Sequence, residues 1–205
     1  IDVLVVYATE LLATEAQLLT TIVAGFSSAN EATANSDIDL QFNLVRVEQL
    51  PYSQTTDSKV DLAALRANAD VQALRDEVQA DLVVLVGEFE DGICGRGYLF
   101  TGHATWGYSV VDVDCFDNYS HTHEMAHNLG CDHDRGNART STEYGHGFRY
   151  CEGDVQYRTI MSYAAGCSPS PPKVNYFSNP DIDFLGLPTG TAEEDNARCI
   201  EDNMV

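Results

Sequence analysis

The chain has 205 residues, and its 32 Asp and Glu against 11 Lys and Arg give a formal net charge of −21. Such a charge repels nucleic acids and anionic membrane surfaces, so we expect neither as a partner. Apolar residues make up 44% of the chain, which is enough for a real core, and no apolar run is long enough to cross a membrane. We expect a folded acidic protein without a membrane insertion.

The first half of the chain alternates strand and helix patterns. Residues 1–8 are almost all apolar and β-branched, as in a buried strand, and residues 10–34 repeat apolar side chains at helical intervals. An alternating strand pattern follows at 39–50, a second helical pattern at 60–79, and a buried strand at 81–86. This order predicts a mostly parallel sheet.

The second half is richer in glycine and turn residues. It contains a short edge-strand candidate at 95–100, a strand at 108–113, and a final helix over 191–203 with Thr191 as N-cap. We predict one α+β domain over 1–205, with an α/β-like lobe that holds the sheet up to residue 130. The rest forms a smaller, irregular lobe that ends in a helix.

Six cysteines lie between Cys94 and Cys199, and none has the close spacing of a zinc ribbon. Three disulfides are the better interpretation, and they indicate an oxidising compartment outside the cytosol. The chain begins directly in a strand pattern, as expected of a processed, secreted form. The sequence does not select among the many pairings. We favour these three: Cys94 with Cys115, Cys131 with Cys199, and Cys151 with Cys167.

The stretch HEMAHNLGCDH carries the strongest functional signal. His123 and His127 are four residues apart, so on a helix both imidazoles face one metal ion, with Glu124 beside them. Gly130 is placed to end the helix and to swing His133 round as a third ligand.

Three neutral imidazoles leave one open position on a tetrahedral zinc ion, where water binds and ionises more easily. Glu124 can take the proton of this water as it attacks a carbonyl and pass it to the leaving amine. The three remaining histidines are better interpreted as ordinary core or surface residues. They are His103, His121 and His146.

This stretch matches HExxHxxGxxH, the extended zinc signature of the metzincin metallopeptidases, which the chain resembles. The later TIMSY resembles the Met-turn of that family. The resemblance implies the metzincin fold, a Zn²⁺ cofactor and a position for Met161 beneath the zinc-bound histidines.

Two residues refine the resemblance in different directions. Asp134, directly after the third histidine, is similar to the adamalysin or reprolysin branch. Tyr163, two residues after Met161, resembles astacins and serralysins, where this tyrosine binds zinc as a fifth ligand or stabilises the oxyanion. Both roles suit a phenolic hydroxyl.

The patterns CGRGYL, TIMSY and YFSNP are similar to bacterial reprolysin-like enzymes, including the peptidyl-Asp metalloendopeptidases. The resemblance implies an extended substrate along the edge strand, contacting Gly97, Tyr98 and Leu99. It also implies that residues 164–178 wall the pocket for the residue after the scissile bond.

Preference for an acidic residue in that pocket requires a buried cation, which Lys173, Arg158 or Arg149 could supply. The resemblance to adamalysins also suggests a structural Ca²⁺ site, with oxygen ligands from Asp2, Asp81 and Asn203.

The leading hypothesis is a secreted, monomeric zinc metalloendopeptidase that acts on proteins or peptides. A catalytically silent extracellular metal-binding module on the same fold is the alternative, and an acidic calcium-binding structural domain is a third. Glu124 favours the enzyme, because a silent scaffold needs no carboxylate beside its first ligand.

Overall fold

The computed structural model describes residues 1–9, 11, 14–51, 53–99 and 104–204. Its internal contacts define two compact units. The first, called here the sheet unit, consists of Ile1–Ser28 and Phe42–Asn128. The second, the C-terminal unit, consists of Ala29–Gln41 and Leu129–Val205. Residues 29–41 thus belong to the second unit, although the sequence suggested a simple division at residue 130.

The sheet unit contains a five-stranded sheet with the order β2-β1-β3-β5-β4. The neighbouring strands pair in parallel except β4, which runs antiparallel to β5 at the edge. This confirms the predicted mixed fold with a mostly parallel sheet. The strands are β1 Asp2–Ala8, β2 Asn43–Leu50, β3 Leu82–Gly87, β4 Gly95–Gly97 and β5 Tyr108–Asp112.

The inner strands are buried because their side chains are apolar on both faces. Every residue of β3 is buried, as are residues 3–8 of β1. Such continuous apolar strands need cover on each side, as in other parallel sheets. One core cluster joins Leu4, Leu85 and Val110 of the sheet to Leu62 and Leu74 of the helical region that follows β2.

Five α-helices are described, and none of them is long and apolar enough to cross a membrane. They are α1 Glu15–Asn35, α2 Ser58–Ala67, α3 Ala69–Val78, α4 Ser120–Asn128 and α5 Asn196–Asn203. The start predicted for α1, Glu10, lies outside the described residues.

Two helix predictions need correction. The pattern at 60–79 forms two helices, because Asn68 adopts an extended conformation and its side chain accepts hydrogen bonds from the backbone N–H groups of Asp70 and Val71. At the end of the chain, Asp195 caps α5 by accepting from the N–H of Arg198. Thr191 instead closes the preceding turn, where its hydroxyl accepts from the N–H of Glu194 at 3.2 Å.

The C-terminal unit has little regular structure. It contains two short antiparallel pairs, and its largest fully buried side chains include Tyr157, Ile160, Met161 and Phe177. The strands are β6 Arg149–Tyr150, β7 Tyr157–Arg158, β8 Asp183–Phe184 and β9 Leu187–Pro188.

Two of the three favoured disulfides are present. Cys94 is bonded to Cys115 in the sheet unit, and Cys151 to Cys167 in the C-terminal unit. The third favoured pair does not form a disulfide, although Cys131 and Cys199 are both buried. Their thiols interact with each other, and each also donates to a backbone carbonyl, Cys131 to Asn196 and Cys199 to Leu129.

Tyr157 offers a test of packing in the C-terminal unit. Its hydroxyl donates to the carbonyl of Pro188 at 2.6 Å, and burial raises the pKa of Tyr157 to about 12. We expect Tyr157→Phe to lower the free energy of unfolding near pH 8 by about 1 kcal/mol. Because the folded-state pKa lies above the unfolded value near 10, the tyrosine's contribution is complete below about pH 10 and is lost as pH rises through the folded pKa. Urea unfolding of wild type and Tyr157→Phe at increasing pH should therefore show the deficit in the free energy of unfolding shrinking at alkaline pH.

Candidate metal centre and active site

Helix α4 carries the first two predicted ligands and is buried along its whole length. The rings of His123 and His127 lie one turn apart, with centroids 4.7 Å from each other and planes perpendicular. His121, on the same helix, is not part of this pair. It stacks on Phe116 and bonds through Nε2 to the carbonyl of Gly25 at 2.8 Å, and burial lowers the pKa of His121 to about 4.

The chain turns sharply just after α4. Gly130 has φ +90°, a left-handed conformation that glycine enters without steric cost. A Cβ there would lie 3.2 Å from Nδ2 of Asn203. This turn returns the chain within the eleven-residue signature, and ligand atoms of His123, His127 and His133 all lie within 4.8 Å of one another. Across the described residues, this is the one such group of three or more potential metal ligands.

Local hydrogen bonds orient the third histidine. His133 Nδ1 lies 3.4 Å from the carbonyl oxygen of Asn137, which leaves Nε2 to face a metal ion. Burial lowers the pKa of His133, and thus favours the neutral imidazole that binds metals.

Two further residues stabilise this loop: Asp132, which the sequence did not single out, and His146, which was interpreted there as an ordinary core or surface residue. Asp132 is buried; its carboxylate accepts from the N–H groups of His133, Arg139 and Thr140 and from the Thr140 hydroxyl, at 2.7–2.8 Å. Burial opposes ionisation, but these hydrogen bonds lower the pKa of Asp132 overall. His146 Nδ1 lies 3.0 Å from the carbonyl of His133. The only sequence signal was the run of polar residues around the third histidine.

Glu124 is held against the edge strand. It is only 6% exposed, and a Cβ at Gly95 would lie 2.8 Å from its Cγ, while one at Gly97 would lie 2.8 Å from its carbonyl oxygen. The family resemblance implied a substrate along this strand, in contact with Gly97. In the structure these glycines admit the active-site helix, so the space that they leave is already filled by Glu124.

The edge strand is also shorter than expected. It ends at Gly97, and Phe100 lies outside the described residues. Asn128, the last residue of α4, donates from its side-chain amide to the carbonyl of Tyr98, just after the edge strand, at 2.8 Å. It also donates to the carbonyl of Tyr108 in β5 at 3.1 Å. The Tyr98 ring packs edge-on against Trp106. That Gly97, Tyr98 and Leu99 bind substrate stays a prediction.

The predicted Met-turn is a tight turn in which the N–H of Ser162 donates to the carbonyl of Thr159 at 3.0 Å. Met161 is fully buried within it, and Gly147 approaches so closely that a Cβ there would lie 2.5 Å from the Met161 carbonyl carbon. A position of Met161 beneath the three histidines stays a prediction.

Asp134 connects the third-ligand loop to this turn. Its carboxylate accepts from the backbone N–H of Tyr163 at 3.0 Å and forms an ion pair with Arg149 at 2.7 Å. The Tyr163 hydroxyl lies 3.1 Å from Nε2 of His133, and 41% of the residue is exposed. A tyrosine that served only to fill the core would be more buried. The exposed ring and its contact with His133 therefore favour a role of Tyr163 at the metal centre.

The residues suggested for calcium each have protein partners. The Asp81 carboxylate accepts from the N–H of Asp2 at 2.7 Å, and Asp2 accepts from the Asn43 amide at 3.0 Å. Asn203 donates to the carbonyl of Cys199 at 2.8 Å. A calcium site stays a prediction.

The donor set suits zinc. Three imidazoles are typical of catalytic zinc sites, because they leave a coordination position open, and an oxygen-seeking ion such as calcium would not select them. With Glu124 adjacent to the first ligand, the arrangement defines the class of zinc-dependent hydrolases.

The comparison with known families agrees with this class. The sequence model of metallo-peptidase family M12, reprolysin type, matches residues 1–178. The chain therefore belongs to this family, and the predicted resemblance to reprolysin-like metzincins is confirmed.

The chain is similar to a peptidyl-Asp metalloendopeptidase of Xanthomonas campestris pv. campestris, with 32% identity over 183 residues. The match covers 85% of this chain and 42% of the relative, so the chain spans about two fifths of that protein's length.

Two solved structures show the fold. One is a chain in a chaperone-substrate complex, with a TM-score of 0.78 and 23% identity over 99% of this chain and 33% of that one. The other is metalloproteinase-II from Bacteroides fragilis, with a TM-score of 0.51 and 12% identity over 99% of this chain and 52% of that one. The likeness to a metalloproteinase is consistent with the predicted metzincin fold.

Proposed function

We propose that the chain is the catalytic part of a secreted zinc endopeptidase that hydrolyses internal peptide bonds of proteins. The observation that carries the proposal is the convergence of His123, His127 and His133 within 4.8 Å, beside the buried Glu124. Membership of metallo-peptidase family M12 supports the same activity. Two disulfides support an oxidising compartment.

A bound zinc ion supplies a Lewis acid that polarises a carbonyl and lowers the pKa of water. His123, His127 and His133 would hold this ion, and the hydrogen bond that His133 Nδ1 donates to the carbonyl oxygen of Asn137 orients the ring of His133. Glu124 receives on its carboxylate the proton of the water that attacks the scissile carbonyl, and then donates this proton to the leaving amine nitrogen. Burial against the glycines of β4 restricts the positions that its carboxylate can adopt.

Tyr163 has the chemistry and the position to stabilise the negative charge that develops on the carbonyl oxygen. Its hydroxyl lies 3.1 Å from Nε2 of His133, so a small rotation of the exposed ring would release it as a donor. In the absence of substrate, the same hydroxyl would serve at most as a weak additional ligand to a bound zinc ion.

We expect Tyr163→Phe to lower kcat by about 10- to 100-fold, because one donor to the developing oxyanion is lost. KM and zinc content should change little, because the three histidines remain as metal ligands and the hydroxyl acts mainly in the transition state. Steady-state kinetics on one fluorogenic peptide measures the effect, with Tyr144→Phe as control because its hydroxyl bonds to Asp202 instead. An unchanged kcat would mean that Tyr163 does not stabilise the oxyanion.

The peptidase proposal is tested by metal analysis combined with hydrolysis. The purified protein should contain one zinc per chain, and removal of the metal by a chelator should stop hydrolysis of a denatured protein. Added zinc should restore it, whereas added calcium alone should not. Persistent hydrolysis by the metal-free protein would contradict the proposal.

The name of the Xanthomonas relative supports a preference for aspartate at the cleaved bond. We propose that this chain also prefers an acidic residue directly after the scissile bond. Arg149 is not suited to bind it, because its guanidinium is already paired with Asp134 at 2.7 Å.

A further inference from the structure

Arg158 is a partly buried cation next to the Met-turn in the C-terminal unit. Its guanidinium donates from Nη1 to the carbonyl of Ser162 at 2.7 Å and from Nε to the carbonyl of Pro171 at 3.3 Å. These bonds fix the plane of the group and leave N–H donors on both terminal nitrogens. Such a fork matches the two oxygens of a carboxylate.

Within the described part of the chain, no carboxylate forms an ion pair with Arg158. Three other arginines of the same unit have such a partner: Arg135 with Glu193, Arg149 with Asp134 and Arg198 with Asp202. A partly buried arginine without a counter-charge is unexpected in a chain of net charge −21. Burial lowers the pKa of Arg158, which is the electrostatic cost of this arrangement.

A second cation lies beside it. The backbones of Arg158 and Lys173 form a parallel bridge, in which the paired side chains leave from the same face. A carboxylate bound on this face would be attracted by two positive charges.

The position relates this face to the reaction. Ser162, which accepts from Arg158, precedes Tyr163, and the Tyr163 hydroxyl contacts the zinc ligand His133. The guanidinium is thus connected, through the Ser162 carbonyl and the residue that follows it, to the side chain that contacts the third histidine.

We propose that Arg158 is the residue that selects an acidic side chain after the scissile bond, by binding its carboxylate through both terminal nitrogens, with Lys173 adding to the field. This inference rests on the proposed peptidase function. It assigns the specificity to one of the three cations that the sequence left open.

The test compares two peptides that differ only in Asp or Asn after the scissile bond, because the two side chains have nearly the same shape. Wild-type protein should cleave the Asp peptide with the higher kcat/KM. Arg158→Gln should lower kcat/KM for the Asp peptide by about 100-fold and change the Asn peptide by less than about threefold. Lys173→Gln should have a smaller effect of the same kind, and Arg135→Gln, which removes an exposed paired charge, should have none.

Arg158→Lys is a control for a purely structural effect, because it keeps the positive charge but removes the planar guanidinium with its paired donors. It should retain a preference for Asp with a reduced kcat/KM. The assignment would be overturned if Arg158→Gln lowered kcat/KM equally for the Asp and the Asn peptide. It would also be overturned if the preference for Asp disappeared in Lys173→Gln but persisted in Arg158→Gln. Cleavage by the wild-type protein without any preference for Asp would overturn it and leave the peptidase function intact, whereas absence of any cleavage would refute the function itself.

Discussion

Replacement of Glu124 by alanine should reduce peptide hydrolysis by at least about 10³-fold while zinc remains bound. The carboxylate is the proton acceptor in the proposed mechanism, and no ligand is removed with it. The loss should appear in kcat rather than in KM, since the side chain acts on the reacting water and not on the bound peptide.

Zinc content and kcat should be measured on the same preparations of Glu124→Ala and wild type. Glu193→Ala is the matched control, because it removes an exposed carboxylate that forms an ion pair with the surface residue Arg135. If Glu124→Ala kept activity within tenfold of wild type at full zinc occupancy, Glu124 would not be the base.

Replacement of His133 by alanine should weaken zinc binding by more than about 100-fold, which exceeds the usual effect of losing a residue that only supports a ligand. Two histidines on α4 would remain, and two protein ligands do not hold zinc firmly in a catalytic site. Competition with a chromogenic chelator gives the dissociation constant directly, without the need for any activity.

His146→Ala separates ligation from damage to the loop. The His146 imidazole bonds to the carbonyls of His133 and Thr142, so its loss should lower the free energy of unfolding but leave one zinc per chain. Equal zinc affinities of the two variants would mean that the third ligand lies elsewhere.

The sequence predicted those features that depend on local periodicity. The apolar runs of β1 and β3 are too long and too continuous for anything but covered strands, and they were assigned correctly. The spacing also indicated the convergence of the three histidines, because His123 and His127 lie about one helical turn apart and Gly130 permits the return of the chain. That they bind zinc stays a prediction.

Features that apolar periodicity and residue spacing do not determine escaped prediction. The apolar pattern at 60–79 is compatible with one continuous helix or with two shorter helices. Two helices form because the side chain of Asn68 caps the second one. The sequence did not indicate that the glycines of β4 contact Glu124, because this residue lies almost thirty positions further along the chain. Likewise, the spacing of Cys131 and Cys199 cannot distinguish two thiols in contact from a disulfide.

The sequence does not decide which cation would bind an acidic side chain of the substrate, but the contacts of the two arginines distinguish them. Arg149 and Arg158 are equivalent in the sequence as sources of a buried positive charge. In the structure, Asp134 neutralises Arg149, while Arg158 bonds only to backbone carbonyls among the described residues. Only the second arrangement leaves a cation available for a substrate.

The most direct test of a zinc endopeptidase in this chain is mass-spectrometric mapping of the bonds cleaved in a denatured protein mixture. Wild-type protein with zinc should produce new termini that begin predominantly with aspartate. The same protein with a chelator, and Glu124→Ala with zinc, should produce almost none. New termini that are equally abundant in all three samples, or that are absent from the zinc-loaded wild type, would contradict the account.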